Sequence, residues 1–161
     1  MHGAPFGQLP PLPIDEDSPL YATTTYGMVK LLEEQMARQY AGWERSMKIV
    51  ALRFAWVTYQ EYYEGFGGFD VLRHAARLWN YIDARDAARA ARLALQYELT
   101  GFHAFVISAD DTVMPQDSLE LLRIAHPDAD LRRELVGRQS LFASDSAKRL
   151  LGFKPRFSWR E

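Results

Sequence analysis

A short apolar stretch near the middle of this 161-residue chain decides its fold: Lys48-Ile49-Val50-Ala51-Leu52-Arg53. An unbroken apolar run of this length is typical of a strand that is covered on both faces, as in a parallel sheet. A second such run extends from His103 to Ser108. Between them, residues 83–97 are rich in alanine and leucine at helical spacing, with Asp83 as the cap. Strand and helix therefore alternate, and we predict an α/β fold with parallel strands.

The segments around this unit are assigned in the same way. Apolar residues at helical spacing predict a helix over residues 24–40, with Thr24 or Thr25 as its cap and Gly42 at its end. Five prolines make residues 1–21 an extended loop whose apolar side chains, Leu12 and Ile14 among them, are available to pack. We also expect a loop over residues 54–70, a brief strand over 80–82, and short helices over 70–78, 116–124 and 146–151.

Composition restricts the class of protein. With 21 acidic and 19 basic residues the net charge is -2, which argues against nucleic-acid binding. Cysteine is absent, which excludes disulfides and thiolate chemistry, and the four histidines stand apart from carboxylates, so we predict no metal site. The sequence has no apolar run that spans a membrane and no signal-peptide pattern at its start. We expect a cytoplasmic protein with no membrane or nucleic-acid partner.

One segment carries recognisable chemistry, Tyr26-Gly27-Met28-Val29-Lys30. On a helix, side chains four residues apart lie one above the other on the same face. An ammonium group beside a phenol stabilises the phenolate, which gives a proton donor and acceptor suited to carbonyl reduction or alcohol oxidation. The lysine keeps further donors for a cofactor hydroxyl. An inert surface pair has the same spacing, so this motif alone leaves both interpretations open.

Five segments, taken together and in this order, resemble the second half of the extended short-chain dehydrogenases/reductases, the NAD-dependent epimerase/dehydratase family. They resemble the loop before its catalytic helix, its Y-G-x-x-K helix, its L-R-P-x-x-V strand end, its Y-V-D-V-R-D-V-A-R-A segment and its closing A-x-x-x-L-G-W-x-P element. The corresponding residues of this chain are 12–17, 26–30, 50–57, 80–90 and 147–155.

The resemblance implies a doubly wound Rossmann-like sheet that binds NAD or NADP. It implies that Tyr26 is the catalytic acid/base and that Lys30 tunes it and binds the nicotinamide ribose. Arg77 and Tyr81 lie near segments that face the substrate in relatives. The cofactor-binding residues implied are Tyr26, Lys30, Phe54, Ala55, Trp56 and Val57, with Phe54 in place of the usual proline.

The same resemblance implies how the chain is organised and what it acts on. Residues 1–53 would be the rest of a catalytic core, and residues 54–161 a mixed region of substrate-binding elements and outer sheet strands. The implied activity is that of an oxidoreductase, epimerase or dehydratase acting on a hydroxyl or keto group of a sugar or nucleotide sugar. A homodimer through the catalytic helix is implied for the full-length parent.

Two parts of the family pattern are missing from the sequence. A dinucleotide site needs a glycine-rich turn at a helix N-terminus, inside a βαβ unit. The glycine cluster at residues 65–68 has Asp70 and Val71 where the last glycine would fall, and no strand closely precedes it. The catalytic serine or threonine is absent too, because Met1-His2-Gly3 resembles the end of the family's S-S-x-x-V-Y-G segment.

We therefore expect the C-terminal part of an oxidoreductase, begun at an internal methionine. Alone, such a chain is expected to fold poorly and to bind NAD(P) weakly or not at all, since an open sheet edge is prone to aggregation. The alternative is a gene that truly starts at Met1 and encodes a catalytically inactive half-domain with a binding role or none.

Overall fold

The computed structural model describes residues 9–161. The predicted loop over residues 1–8 and the resemblance of Met1-His2-Gly3 lie outside the described residues. Within residues 9–161, no helix is both long enough and apolar enough to cross a membrane. The elements are α1 (Thr25–Trp43), β1 (Lys48–Phe54), β2 (Val57–Thr58), a 3₁₀ helix (Gln60–Gly65), α2 (Val71–Ala75), β3 (Ile82–Asp83), α3 (Ala84–Gln96), β4 (Gly101–Ile107), α4 (Ser118–Ala125) and a π-helical turn (Ala147–Leu151).

The two apolar runs form a parallel pair, as predicted. β1 and β4 lie side by side in register from Lys48 opposite Gly101 to Phe54 opposite Ile107. A second parallel pair joins the short strands β2 and β3. The α/β class with parallel strands is therefore confirmed.

Helices cover both faces of the β1–β4 pair. Successive side chains of a strand point to opposite faces. Val50 and Leu52 pack on one face against a buried cluster that includes Phe105 of β4 and Ala90 of α3. On the other face, Arg53 contacts Glu34 of α1. The order of layers is α1, sheet, α3.

A second and larger core lies beside this sheet. The predicted packing of the proline-rich segment is confirmed, since Leu12 and Ile14 are fully buried and form parallel bridges to Leu131 and Phe142. Other large side chains of this core include Trp79, Tyr81, Met114, Leu121 and Leu141.

Two predicted boundaries are wrong for identifiable reasons. Gly42 does not end α1, because its φ is not in the left-handed region and the helix continues to Trp43, where the Glu44 N–H donates to the Tyr40 carbonyl at 3.0 Å. The strand predicted over 80–82 begins at Ile82, because Ile82, opposite Val57, is the first of these residues that pairs with β2.

The loop predicted over residues 54–70 contains two elements, β2 and the 3₁₀ helix. β2 forms because β3 lies alongside, with the Ile82 N–H donating to the Trp56 carbonyl at 2.9 Å. The predicted helix caps Thr24 and Asp83 are confirmed. The Thr24 hydroxyl accepts from the Gly27 N–H at 3.0 Å, and Asp83 accepts from the Arg85 N–H at 2.8 Å.

The buried carboxylate of Asp83 also holds three elements together. It accepts two hydrogen bonds from the Arg85 guanidinium, at 2.8 and 2.9 Å, and one from the Tyr63 hydroxyl. Burial alone would raise the pKa of Asp83, but the hydrogen bonds from Arg85 and Tyr63 outweigh it and hold this pKa below its ordinary value. The ionised form is therefore the one that stabilises the fold.

We predict that Asp83→Asn makes stability less dependent on pH in the acid range. A carboxyl whose pKa is lowered by folding contributes stability above its ordinary pKa of 3.8, and this contribution is lost as the pH falls below that value. Urea unfolding from about pH 7 to about pH 2 measures it. The variant should be less stable at neutral pH and lose less on acidification, whereas Asp128→Asn, an exposed control, should follow the parent. Parallel curves for Asp83→Asn and the parent would contradict the assignment.

Candidate active site

A groove of about 870 Å³ opens between α1 and the carboxyl end of β1. We call it the α1–β1 groove. Its lining includes Tyr26 and Lys30 of α1, Arg53 and Phe54 of β1, and Trp56 and Arg77 from the segments that follow. The carboxyl ends of parallel strands are where open α/β sheets bind ligands, and this groove lies at such an end.

Most of the residues predicted from sequence to form a site meet in this groove. The six that line it are Tyr26, Lys30, Phe54, Ala55, Trp56 and Arg77. Two others do not line it. Val57 is exposed on β2, opposite Ile82, and Tyr81 lies in the larger core.

Tyr26 and Lys30 lie side by side as their spacing predicts. The Lys30 Nζ atom is 5.7 Å from the centre of the Tyr26 ring. The Thr24 cap starts α1 just before this pair and so sets Tyr26 in the first helical turn. Tyr26 is 70% exposed, and no residue within 9–161 hydrogen-bonds its hydroxyl. That hydroxyl is thus accessible to a ligand.

Lys30 has a carboxylate partner that sequence reasoning did not assign to it. Its Nζ donates to Glu33 Oε2 at 2.7 Å, one helical turn further on. This hydrogen bond and the charge of Glu33 raise the pKa of Lys30 above its ordinary value. The ammonium group beside Tyr26 therefore stays protonated at neutral pH.

A buried ion pair fixes α1 on the sheet. Arg53 donates from Nε to Glu34 Oε1 at 2.9 Å and from Nη2 to Glu34 Oε2 at 2.8 Å. Its Nη1 donates to the Glu16 carbonyl at 3.0 Å. The sequence analysis does not pair these two residues. Helical spacing could have placed Glu34 on the buried face of α1, because Glu34 lies seven residues from both Gly27 and Ala41, the other buried residues of this helix.

Arg77 supplies a second cation on the rim of the groove. Its guanidinium lies 5.4 Å from the centre of the Trp56 ring, a cation–π distance, and it forms no ion pair with any carboxylate in residues 9–161. It directly precedes the two left-handed residues, Leu78 and Trp79, which are followed by Asn80 on the groove lining. Backbone in this region is costly for residues other than glycine and tends to mark functional segments.

Tyr81 is held inside the protein by the C-terminal segment. Its hydroxyl donates to Asp111 Oδ1 at 2.7 Å and accepts from the Trp159 N–H at 3.3 Å. Burial, reinforced by the charge of Asp111, raises the pKa of Tyr81 well above its ordinary value. The ring is fully buried, so Tyr81 acts on the groove only through its neighbours, and its substrate role stays a prediction.

The glycine cluster at residues 65–68 packs against the core. The Gly67 N–H donates to the Val113 carbonyl at 2.9 Å, and its φ of 82° requires a left-handed backbone. A Cβ at Gly67 would come within 3.1 Å of the Trp159 ring. The loop is thus shaped by close packing on Trp159 and does not present its N–H groups at the start of a helix.

Several solved structures have a similar fold. UDP-N-acetylglucosamine 4-epimerase from Bacillus cereus is 22% identical to this chain, and the match covers 91% of this chain and 53% of that one, with a TM-score of 0.58. MoeE5 in complex with UDP-glucose and NAD is 19% identical over 99% of this chain and 57% of its own, with a TM-score of 0.60. The chain has the fold of part of an extended short-chain dehydrogenase/reductase.

The resemblance seen in the sequence is therefore confirmed at the level of fold. The dTDP-glucose 4,6-dehydratase from Bacillus anthracis str. Ames, in complex with NAD, is a further match, 12% identical over 91% of this chain and 51% of its own, with a TM-score of 0.57. The chain thus spans about half the length of these three proteins. No family model and no curated protein matches it.

We predict that Glu34→Gln destabilises the fold by about 3–5 kcal/mol, because it leaves the Arg53 guanidinium buried without a counter-ion. The double variant Glu34→Leu/Arg53→Met should lose less, since it removes both charges. Urea unfolding at pH 7 measures the free energies of unfolding. Glu33→Gln, an exposed neighbour on the same helix, is the matched control and should change stability by less than about 1 kcal/mol. Equal losses for Glu34→Gln and Glu33→Gln would show that the buried pair does not hold α1.

Proposed function

We propose that this chain supplies the tyrosine–lysine pair and the substrate-facing groove of an NAD(P)-dependent oxidoreductase or epimerase/dehydratase. Its substrate would be a hydroxyl or keto group of a sugar or nucleotide sugar. The observation that carries the proposal is the convergence of Tyr26, Lys30, Trp56 and Arg77 on one groove. Structures of similar fold include a UDP-N-acetylglucosamine epimerase, a dTDP-glucose dehydratase, and MoeE5 with bound UDP-glucose and NAD, which supports this class of ligand.

In this proposal Tyr26 exchanges the proton. Its hydroxyl oxygen gives a proton to a substrate carbonyl oxygen, or takes one from a substrate hydroxyl. The adjacent Lys30 ammonium stabilises the phenolate left after proton donation, and Glu33 keeps that ammonium charged. The Nζ of Lys30 still has donors to offer to a ligand.

In this proposal the groove contacts only the nicotinamide-ribose end of NAD or NADP. Tyr26 and Lys30 offer a hydroxyl and an ammonium group to ribose hydroxyls, and Phe54, Ala55 and Trp56 provide the adjoining wall. The glycine loop packs on Trp159 and offers no cradle for a pyrophosphate in residues 9–161. When bound, the nicotinamide supplies the hydride acceptor or donor. Val57 does not line the groove, so its contact with the cofactor stays a prediction.

Arg77 is our candidate for substrate binding. Its guanidinium lies on the rim and has no carboxylate partner in the described chain. An anionic or hydroxyl-rich ligand could therefore accept its hydrogen bonds. We assign Tyr81 a supporting role, since its hydroxyl is committed to Asp111. The division proposed for the chain is a catalytic portion up to residue 53 and a substrate-facing portion from residue 54 onward.

The sharpest test is reconstitution. Residues 1–161 are combined with a polypeptide that carries a glycine-rich βαβ unit and the serine segment of this fold, and NAD reduction or epimer formation is followed with UDP-glucose, UDP-N-acetylglucosamine and dTDP-glucose. We predict that Tyr26→Phe lowers kcat by about 10²–10⁴-fold, the usual contribution of a proton donor. Tyr40→Phe, an exposed tyrosine further along α1, should retain the parent rate.

Lys30→Met should raise the KM for the cofactor as well as lower kcat, because Lys30 is assigned both roles. A Tyr26→Phe chain as active as the parent would show the assigned mechanism to be wrong. Sugar binding without turnover would favour the second candidate, a non-catalytic binding domain, which the absence of a pyrophosphate cradle in residues 9–161 supports.

We also propose that α1 mediates a homodimer. Its buried residues, Gly27, Glu34 and Ala41, lie on one face. Its large apolar residues lie on the opposite face and are 45–75% exposed: Met28, Val29, Leu32, Met36, Tyr40 and Trp43. This row has no charged member and runs along most of α1, so a second copy can cover it symmetrically with the same row.

We predict that Leu32→Glu shifts the protein from dimer to monomer, because a charge would be buried at the centre of the interface. Sedimentation equilibrium at micromolar concentrations measures the shift. Leu95→Glu is the matched control, since Leu95 is an exposed leucine on α3, outside the row. A parent chain that remains monomeric throughout would contradict the dimer.

A further inference from the structure

Trp159, close to the end of the sequence, is bonded to a short segment of the larger core, residues 111–114. Its indole Nε1 donates to the Thr112 carbonyl at 2.9 Å. The next residue, Arg160, donates from Nη2 to the Thr112 carbonyl at 3.3 Å and also to the Met114 carbonyl. We call residues 111–114 the anchor segment. Two neighbouring side chains thus fix the position of the Trp159 ring with directional hydrogen bonds.

The anchor segment also holds the backbone beside Arg77. The Val113 N–H donates to the Trp79 carbonyl at 3.0 Å, and the Val113 carbonyl accepts from the Gly67 N–H at 2.9 Å. Trp79 belongs to the left-handed pair that directly follows Arg77. The anchor segment therefore connects the Trp159 side chain both to the glycine loop and to the turn that carries Arg77.

A row of aromatic rings makes a second connection between Trp159 and Arg77. The Trp159 ring lies 5.9 Å from the Phe66 ring at an interplanar angle of 78°, an edge-to-face arrangement. Phe66 is buried, and its ring lies 5.8 Å from the ring of Trp56. Trp56 in turn lies under the Arg77 guanidinium on the rim of the α1–β1 groove, at 5.4 Å. These rings form one path from the end of the sequence to the groove.

The Trp159 ring has little freedom to move along this path. A Cβ at Gly67 would lie 3.1 Å from the ring, so the glycine loop is already in close contact with one part of it. The Phe66 ring and the bond to the Thr112 carbonyl restrict it further. Because protein interiors are close-packed, removing such a ring shifts the side chains that rest on it.

Arg77 depends on these supports more than other arginines of the chain do. Its guanidinium has no hydrogen-bond partner within residues 9–161, so its position rests on the Trp56 ring and on its own backbone. Arg53, in contrast, is held by three hydrogen bonds. A long side chain that is already ordered loses less conformational freedom when a ligand binds.

We infer that Trp159 is a positioning residue for Arg77 and thereby sets the affinity of the α1–β1 groove for an anionic or hydroxyl-rich substrate. The role of Arg77 toward substrate rests on the proposed function, whereas the contacts from Trp159 to Arg77 do not depend on it. Trp159 does not line the groove, so it acts only through Trp56 and the anchor segment.

The experiment compares the full chain with Trp159→Leu by NMR. An aliphatic group over an aromatic face resonates upfield of its ordinary position, so the Arg77 δ protons report on the contact with Trp56. In Trp159→Leu these protons should move toward their ordinary shift. A thermal melt of each chain is recorded alongside, because a merely structural role would lower the melting temperature and leave the Arg77 resonances in place.

Phe157→Leu is the matched control. Phe157 belongs to the same segment, but its ring lies under the Arg85 guanidinium at 3.6 Å and not against Phe66. This variant should leave the Arg77 resonances unchanged. An equal shift for Phe157→Leu and Trp159→Leu would overturn the inference, because any disturbance of the segment would then have the same effect.

A titration with UDP-glucose tests the consequence for affinity. In the parent it should shift the Arg77 resonances, and Trp159→Leu should raise the Kd about 3- to 10-fold, the range expected when one long side chain must be ordered on binding. Phe157→Leu should bind as the parent does. An unchanged Kd for Trp159→Leu would overturn the effect of Trp159 on affinity.

The remaining outcomes separate this inference from the proposed function. Unmoved Arg77 resonances in a folded Trp159→Leu chain would overturn the inference, whether or not UDP-glucose binds. If that variant does not fold, Trp159→Phe replaces it. This variant keeps a ring beside Phe66 but loses the bond to Thr112, so it should move the Arg77 resonances by a smaller amount in the same direction, and unmoved resonances would again overturn the inference. Moved resonances with no UDP-glucose binding by the parent would support the positioning of Arg77 by Trp159 and contradict the substrate role proposed for Arg77.

Discussion

The Arg53–Glu34 ion pair is the interaction on which the rest of the site depends. Removing two charges from water is costly, and such a pair is tolerated only where every hydrogen-bonding group finds a partner. Here the guanidinium holds both oxygens of Glu34 and the carbonyl of Glu16, and the Glu16 carboxylate in turn covers the Val106 N–H. A single side chain of β1 thereby ties together α1, the loop before it and β4.

The Arg53–Glu34 ion pair determines the position of α1, because apolar packing does not. Gly27 and Ala41, the apolar residues that α1 buries on this chain, are small, while its large side chains face outward. The position of such a helix is set by directional hydrogen bonds more than by buried apolar surface area. Since Glu34 is one turn beyond Lys30, fixing Glu34 also fixes the pair Tyr26 and Lys30 against the carboxyl end of β1.

The sequence predicted those features that depend on local pattern. The apolar runs of β1 and β4 predicted buried parallel strands, and Asp83 predicted the start of α3, because capping acts over three residues. The left-handed pair Leu78 and Trp79 was missed, since neither residue type favours that backbone and only the surrounding core imposes it. The Arg53–Glu34 pair joins residues 19 positions apart on different elements, so no period in the sequence contains it. Tyr81 was assigned to substrate from its neighbourhood in sequence, whereas its partner Asp111 lies 30 residues away.

Two polar side chains that lack a hydrogen-bond partner within residues 9–161 lie on one surface. The Tyr26 hydroxyl and the guanidinium of Arg77 both border the α1–β1 groove. Other charged side chains have hydrogen-bond partners within the chain. Asp86 accepts from the backbone N–H of Arg156 and Phe157, and Lys48 Nζ donates to the carbonyls at the end of α3. Because the Tyr26 hydroxyl and the Arg77 guanidinium both border one groove, we expect a ligand to complete their hydrogen bonds. The buried Tyr97 hydroxyl and Gln116 Oε1, which also lack a partner within residues 9–161, lie outside this groove.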